Sequence, residues 1–171
     1  IFCGSALIAQ TADNRVFLLP GDEGKEPKIL SLYQNSHGYI FAGTSNGLFR
    51  FDGTDFTKFI QPEGSNTAIT AICEISNTHL WLGFENGALG VMKNNRVYLL
   101  KFEEGYPKVP IKKIITDDKG VIWFATAGEG IYYYRNNKMY NINTDDGLSD
   151  NYVYDIVSNG VAGVIAATDR G

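Results

Sequence analysis

The sequence predicts an all-β fold, a β-propeller built from four-stranded antiparallel blades, because one short pattern recurs four times along the chain. In each copy a bulky residue is followed two positions later by glycine or alanine, and a polar turn comes shortly afterwards. The bulky residues are Phe41, Trp81, Trp123 and Ile165, spaced 40, 42 and 42 positions apart. A period of about 40–45 residues containing four short strands is typical of a propeller blade.

The second copy shows how one period divides into strands. Residues 68–75 form an apolar, β-branched run suited to a strand buried on both faces. After a second strand at residues 80–84, Asn86-Gly87 predicts a tight hairpin, because both central positions of a type I′ turn need a positive φ. The remaining predicted strands of this copy are residues 88–92 and 96–100.

The other copies divide in the same way. The predicted strands are residues 29–34, 39–43, 48–51 and 56–60 in the first copy, 111–116, 121–125, 131–134 and 138–142 in the third, and 152–157 and 163–167 in the fourth. The chain is therefore expected to hold about three full blades and part of a fourth, an incomplete fragment of a larger ring. Residues 14–19 repeat the pattern of residues 95–100 and are predicted to close that ring as an outermost strand.

Small residues in the second strands predict how the blades pack. A glycine inside a strand usually marks close approach of another backbone, here that of the next blade. The bulky residue two positions earlier is expected to fill the space between blades. The small residues are Gly43, Gly83, Ala125 and Ala167. The sheet faces around Tyr152, Val153 and Ile165 are expected to lack the next blade that would cover them.

Composition excludes several classes of protein. The 171 residues carry a net charge of −4 and are 44% hydrophobic, which is typical of a globular chain without a nucleic-acid partner. The two cysteines, Cys3 and Cys73, indicate neither a disulfide framework nor a metal site. No apolar run reaches the roughly 18 residues of a membrane span, so membrane attachment is expected only through downstream segments. No cofactor is predicted.

The first twelve residues differ from the rest. Residues 1–10 are apolar and small and a polar stretch follows, which favours the end of a secretory signal peptide over an apolar strand of an internal blade. Residues 1–12 are therefore interpreted as a signal-peptide remnant with the mature N-terminus, and residues 13–171 as the partial propeller. The expected location is periplasmic or extracellular.

Three segments carry a family resemblance: Asp117-Asp118-Lys119-Gly120-Val121-Ile122-Trp123-Phe124-Ala125-Thr126, Gly43-Thr44-Ser45-Asn46-Gly47-Leu48-Phe49-Arg50-Phe51-Asp52-Gly53 and Asp146-Gly147-Leu148-Ser149-Asp150-Asn151-Tyr152-Val153-Tyr154-Asp155-Ile156. Together they resemble the two-component regulator propeller repeat, found in the sensor region of hybrid two-component histidine kinases. The chain departs from the repeat at Phe84, where threonine is usual, at the extra residue in Ala127-Gly128-Glu129-Gly130, and at Ile165, where tryptophan is usual.

The resemblance implies an extracytoplasmic sensor that detects a glycan or another small molecule. In that family the propeller precedes an immunoglobulin-like linker, a membrane helix and a kinase or DNA-binding output domain. It also implies a non-enzymatic region, a kinase activity that lies downstream, and a dimer in the full-length sensor. The alternatives are a secreted carbohydrate-active propeller enzyme and a non-signalling interaction scaffold.

No catalytic or metal-binding constellation stands out. The run from Thr116 to Trp123 resembles the Asp-box of sialidase-type propellers, but Asp118 and Gly120 are interpreted as residues that stabilise a tight turn. His37 and His79 fall in equivalent turns and are interpreted as solvated side chains. The acidic pairs between blades are interpreted as surface charge.

A ligand is expected on the face that carries the hairpin loops within each repeat and the links between blades. Polar residues in those loops are the candidate contacts, because the loops of successive blades gather around the central axis. The predicted ligand-binding residues are Asn46, Glu85, Asn86, Glu129, Asp169 and Arg170, with Asn66 and Asn151 at the start of inner strands.

Overall fold

The computed structural model describes residues 17–20, 27–62, 67–76, 79–160 and 163–171. In this part of the chain three four-stranded antiparallel sheets are followed by a two-stranded sheet. Each four-stranded sheet is a meander in which neighbours in sequence are neighbours in the sheet. The predicted all-β fold with four-stranded blades, three complete and one partial, is confirmed.

The strands are as follows. The first blade has β1 (Ile29–Gln34), β2 (Ile40–Thr44), β3 (Gly47–Phe51) and β4 (Phe56–Lys58). The second has β5 (Ile69–Ser76), β6 (His79–Phe84), β7 (Leu89–Lys93) and β8 (Arg96–Leu99). The third has β9 (Ile111–Thr116), β10 (Ile122–Thr126), β11 (Ile131–Arg135) and β12 (Lys138–Ile142), and the fourth has β13 (Val153–Ser158) and β14 (Val164–Thr168).

The first strand of each sheet faces the first strand of the next. β1 contacts β5, β5 contacts β9, and β9 contacts β13, so these strands form the inner wall of the propeller. A 3₁₀ turn at Thr144–Asp146 leads from the third blade into the fourth. None of the described segments is a helix with the length and hydropathy needed to cross a bilayer.

Glycine marks the closest approach between blades, as predicted. A Cβ on Gly43 would lie 2.6 Å from the carbonyl oxygen of Ile69 on β5, and a Cβ on Gly83 would lie 2.6 Å from the Cβ of Ile111 on β9. Each of these two second strands therefore touches the inner strand of the following blade. The missing side chain sets the distance between sheets.

Three apolar clusters fill the spaces between blades. Phe41 packs with Ile69 and Ile72 of the second blade, and Trp81 packs with Ile111 and Ile114 of the third. A third cluster joins residues of the last two sheets, including Trp123. The interpretation of the bulky repeat residues as packing between blades is confirmed for these three copies.

The fourth sheet is covered on one side. Val153 is fully buried against Ala125 and Ile131 of the third blade, so its inclusion among the residues that lack the next blade was wrong: it lies on the face covered by the preceding blade. Tyr154, next to Val153 at a break in the pairing register of β13 with β14, is exposed. Ile165 is 57% exposed, as expected.

The chain ahead of β1 differs in part from the prediction. Residues 1–16, and with them the signal-peptide interpretation and most of its boundary, lie outside the described residues. Residues 17–19 form no strand. The ring of Phe17 packs against that of Phe51 in the first blade, with the ring centroids 4.6 Å apart. Closure of the ring by residues 14–19 stays a prediction.

Cys73, on β5, is buried, and this burial raises the pKa of its thiol to about 11.

Candidate functional site

The hairpins between the second and third strands, with the links between blades, form one continuous surface, here named the hairpin-loop face. Each hairpin is hydrogen-bonded to the link that precedes its blade, since Ser45 N donates to Lys28 O at 2.9 Å, Glu85 N to Ala68 O at 3.0 Å and Ala127 N to Pro110 O at 2.9 Å. These bonds hold loops and links in fixed positions. A site on this face is therefore preorganised.

A threonine at the end of the second strand stabilises the turn in three sheets. The hydroxyl of Thr44 donates to Gly47 O at 2.9 Å, and that of Thr126 donates to Gly130 O at 2.7 Å. Thr168 makes the same bond to Gly171 O at 2.8 Å. Each hydroxyl also accepts a backbone N–H from within the turn. The two fully buried threonines, those of the first and third blades, thus have satisfied hydroxyls.

Phe84 replaces this threonine in the second blade for a packing reason. Its ring is 1% exposed and lies in the cluster between the first two blades. Gly90 makes room for the ring, because a Cβ there would lie 3.0 Å from Phe84 Cε2. The turn is closed instead by backbone bonds from Phe84 N to Ala88 O and from Gly87 N to Phe84 O. The departure from the repeat is thus structural.

Two of the predicted contacts occupy equivalent hairpin positions. Asn86 is exposed and its Oδ1 accepts the N–H of Ala88 at 3.1 Å. Asn46 is half-buried and lines a cavity of about 300 Å³ with Lys58 and Phe59. Glu85, beside Asn86, is exposed.

Glu129 has a structural role that the sequence did not reveal. Its Oε2 accepts the backbone N–H of Lys108 and the hydroxyl of Tyr132, both at 3.0 Å. Burial, followed by the hydrogen bond and the charge of Glu129, raises the pKa of Tyr132 to about 12. Glu129 therefore fastens the link before the third blade to that blade's hairpin.

Asp169 and Arg170 are exposed and engaged within the fourth sheet. The hydroxyl of Tyr154 donates to Asp169 Oδ1, and this bond raises the pKa of the tyrosine. Arg170 Nε lies 3.4 Å from Asp150 Oδ2. Of the two residues predicted at the start of inner strands, Asn66 lies outside the described residues, and Asn151 accepts the N–H of Thr144 at 2.9 Å.

Beside Asn86 lies a larger cavity of about 530 Å³, here named the second-blade pocket. Residues of the link to the third blade supply much of its lining. The rings of Phe102 and Tyr106 are stacked with centroids 6.3 Å apart, and Lys108 Nζ lies 5.8 Å from the centroid of Tyr106. The lining also includes Leu89, Leu99 and Lys101. An aromatic platform with amide and ammonium groups can stack a sugar ring and bind its hydroxyls.

Sequence reasoning missed Phe102, Tyr106 and the two lysines. The available signal was the composition of the link, where Lys101-Phe102-Glu103-Glu104-Gly105-Tyr106-Pro107-Lys108 places aromatic residues in a polar loop. Gly87 lets the hairpin lie directly against this link, since a Cβ there would lie 2.6 Å from Pro107 O. This contact joins residues about 20 positions apart in the chain, so the pattern of the hairpin alone does not reveal it.

The turn that resembles an Asp-box is held by a different aspartate from the predicted one. Asp117, not Asp118, accepts the backbone N–H groups of Lys119 and Val121 through Oδ1, both at 2.9 Å. Its Oδ2 accepts the indole N–H of Trp123 at 3.0 Å. Asp118 is exposed, and Gly120 has a φ of +75° that suits the turn. The interpretation as a structural turn holds with this correction.

His37 and His79 were interpreted as solvated turn residues in separate blades. The structure brings both to one cleft between the first and second blades. In the described part of the chain no group of three or more histidine, cysteine or acidic side chains is placed to hold a metal ion.

Comparisons with known proteins give structural matches only. No family model and no curated protein matches the chain. The chain is similar to the extracellular domain of the putative one component system BT4673 from B. thetaiotaomicron, with a TM-score of 0.71 and 25% identity over 91% of this chain and 20% of that one. It is also similar to the extracellular domain of the putative hybrid two component system BT3049 from B. thetaiotaomicron, with a TM-score of 0.73 and 20% identity over 93% and 23% of the two chains.

A catalytically inactive virginiamycin B lyase from Staphylococcus aureus, solved with quinupristin, matches with a TM-score of 0.70 and 16% identity over 92% of this chain and 54% of that one. At that identity the match shows the fold alone. The chain spans about a fifth of the two extracellular domains. The 20% identity to BT3049 likewise shows the fold alone, while the similarity to the extracellular domain of BT4673, at 25% identity, is consistent with the resemblance to the two-component regulator propeller repeat.

Proposed function

We propose that this chain is part of an extracytoplasmic ligand-sensing propeller of a bacterial two-component signalling protein. The observation that carries the proposal is the second-blade pocket, an aromatic and cationic cavity on a hydrogen-bonded face. Similarity to extracellular domains of two-component systems supports the extracytoplasmic location. Signal output then lies in a part of the protein downstream of this chain, and the full-length sensor is a dimer.

The ligand we propose is a carbohydrate. The Tyr106 ring is 37% exposed and stacked on Phe102, so one aromatic face is held in place for a sugar ring. Asn86 and Lys101, which line the same cavity, offer polar groups for hydroxyls at its edge. A few fixed polar groups around an apolar platform are typical of small-ligand sites.

Binding without catalysis fits the acidic groups of this face. A glycosidase needs two carboxyl groups about 5–10 Å apart across the scissile bond. Here the Glu129 carboxylate accepts hydrogen bonds from the Lys108 N–H and the Tyr132 hydroxyl, and the Asp169 carboxylate accepts one from the Tyr154 hydroxyl. These two carboxylates are engaged in structural hydrogen bonds, while Glu85, Glu103 and Glu104 are exposed, so the preference for a sensor over a carbohydrate-active enzyme depends on the similarity to the extracellular domain of BT4673.

The test is to replace Tyr106 by alanine and measure binding of a panel of oligosaccharides by calorimetry, together with signal output of the full-length protein. Loss of one stacking contact, worth about 0.5–1.5 kcal/mol, should weaken binding about 2- to 13-fold. The control is Tyr98→Ala, which removes a tyrosine that is 47% exposed on β8. Equal binding by Tyr106→Ala and the unsubstituted protein would exclude the second-blade pocket.

A further inference from the structure

The cleft that contains His37 and His79 lies on the side of the molecule opposite the hairpin-loop face. It is formed where the turn between β1 and β2 approaches the turns of the second blade, and its volume is about 300 Å³. This interblade cleft is lined by Tyr39 and Arg50 of the first blade and by Glu74 of the second, among others. Nothing in the proposed sensing site uses these residues.

Arg50 occupies a position where the fold itself does not require a charge. It pairs across the sheet with Phe41, the bulky residue of the first repeat. In the second and third blades the corresponding pairs are Trp81 with Val91 and Trp123 with Tyr133. The third strand therefore accepts an aliphatic or aromatic residue at this position. A guanidinium here needs a separate explanation.

The guanidinium is held in a fixed position but lacks an acceptor. Arg50 Cζ lies 4.9 Å from the ring centroid of Tyr39 and 6.0 Å from that of Phe59. Its Nε is buried, and within the described residues no hydrogen-bond acceptor lies near it. A buried donor without a partner is unfavourable. Nε is closed off from the cleft, so a ligand there would meet the rest of the guanidinium of Arg50, which lines the cleft.

The acidic groups near Arg50 are already engaged by other donors. Glu74 accepts the backbone N–H of Ser36 at 2.8 Å and its hydroxyl at 3.0 Å. Asp52 accepts the N–H groups of Thr54 and Asp55 at 3.0 and 2.9 Å. Within the described part of the chain Arg50 forms no ion pair with either carboxylate. Besides the hydrogen bond from Asp55, the charge of Arg50 helps to lower the pKa of Asp52, and the side chain of Arg50 lines the cleft.

The two histidines complete a polar rim. His37 Nδ1 lies 3.4 Å from the hydroxyl of Ser36, and His79 Nδ1 lies 3.2 Å from that of Ser76. With Glu74, these rings provide groups that can exchange hydrogen bonds with ligand hydroxyls. The cleft thus combines one cation, placed between aromatic rings, with several groups that suit hydroxyls.

We propose that the interblade cleft binds a small hydroxylated carboxylate. The planar fork of an arginine matches a carboxylate through two parallel hydrogen bonds, and the two terminal amino groups of the Arg50 guanidinium would be the donors. A cavity of about 300 Å³ is at the small end of the range for ligand sites, which suits a molecule of the size of a sugar acid. The site is independent of the second-blade pocket and of the sensing function proposed for it.

D-glucuronate is the probe, with glucose and inorganic phosphate as comparisons. In the unsubstituted protein, titration with glucuronate should shift the ¹⁵N–¹H resonance of Arg50 Nε, because the guanidinium to which Nε belongs gains a carboxylate partner. Glucose should bind at least tenfold more weakly. An unmoved Nε resonance, or phosphate binding as tight as glucuronate binding, would overturn the proposal.

Arg50→Met, which keeps the length of the side chain between the two rings and removes the guanidinium, should reduce glucuronate affinity at least tenfold. The matched control is Arg135→Met, at the exposed end of β11 and outside the cleft, which should leave affinity unchanged. Thermal unfolding of both variants establishes that they are folded. Since the resonance shift is measured without any substitution, a poorly folded Arg50→Met variant would still leave a decisive result.

Discussion

Asp117 shows how a single carboxylate organises a turn and its neighbouring strand. It binds two backbone N–H groups of the turn and the indole of Trp123. The first blade has Asn35 in the same position, where Oδ1 accepts the N–H groups of His37 and Tyr39. The residue six positions later is Phe41, which has no N–H to satisfy. An amide is therefore sufficient where the repeat carries phenylalanine, and a carboxylate is needed where it carries tryptophan.

Asp117→Asn should lower the free energy of unfolding by about 1–2 kcal/mol, because one amide group cannot accept from both the turn and the indole. In a Trp123→Phe background Asp117→Asn should lower the free energy of unfolding by less than half as much, because no indole N–H then needs the carboxylate. The first blade has this combination, with Asn35 and Phe41. Urea unfolding of the four proteins gives the coupling energy. A coupling near zero would show that the indole hydrogen bond contributes nothing to stability.

The same carboxylate predicts a dependence of stability on pH. Burial would raise the pKa of Asp117, but the hydrogen bonds from Trp123, Val121 and Lys119 outweigh it, and the net pKa is lowered. A carboxyl group whose pKa is lower in the folded than in the unfolded state stabilises the fold above its unfolded pKa of about 3.9. That stabilisation is lost as the pH falls through the folded pKa.

The stability difference between the unsubstituted protein and Asp117→Asn should therefore stay constant from neutral pH down to about pH 5 and shrink at pH values below about 4. Urea unfolding at three pH values measures it. Asp52 also has a lowered pKa, owing to the N–H groups of Asp55 and Thr54, but it is present in both proteins and cancels. If the stability difference between the two proteins grew as the pH fell, the pKa of Asp117 would not be lowered in the folded protein.

Among the strands, the second strand of each blade decides how closely the sheets pack. Gly83 lies so near Ile111 that the Ile111 side chain packs directly on the Gly83 backbone. Ala125, at the equivalent position of the third blade, is fully buried and keeps its methyl group. The size of this residue therefore follows from the side chain that faces it on the next inner strand.

Gly83→Ala should destabilise the protein by about 1–3 kcal/mol, because the added methyl group overlaps Ile111 and the sheets must move apart. Ala167→Ser is the matched control, since Ala167 is the equivalent residue of the fourth sheet and is exposed, so it should change stability by no more than about 0.5 kcal/mol. Thermal and urea unfolding test both. A neutral Gly83→Ala would mean that the gap between blades is wider than this contact requires.

The described part of the chain has two uncovered apolar surfaces, one on β1, where Leu32 is 65% exposed, and one on the fourth sheet. Tyr154, Val157 and Ile165 are 50%, 57% and 57% exposed, and β14 is the last strand of its sheet. An apolar surface beside an unpaired strand edge promotes association between molecules. The other sheets of the described chain have four strands each.

The purified 171-residue chain is therefore expected to self-associate, and a Val157→Lys and Ile165→Lys double variant should shift it towards the monomer. Sedimentation velocity over a range of protein concentrations measures the change. Tyr98→Lys, on the exposed part of β8, is the control and should not alter association. A chain that stays monomeric without any substitution would show that this surface is not adhesive.

The sequence by itself determined the repeat, the four strands of each blade and the small and bulky residues that pack the blades. These depend on local alternation, turn residues and side-chain volume, which are readable within one period. Strand ends shifted by one or two residues, since hydrogen bonding and not composition fixes where a strand stops.

Tertiary structure decided which side chains meet. Asp117 rather than Asp118 holds the turn because the backbone places Oδ1 of the first residue over the following N–H groups. Glu129 was predicted as a ligand contact and instead fastens Lys108, which lies 21 residues earlier. His37, Arg50 and His79 share one cleft although they belong to different strands and blades. Such contacts depend on how one blade is placed against the next, and that placement is not encoded in the pattern of any single repeat.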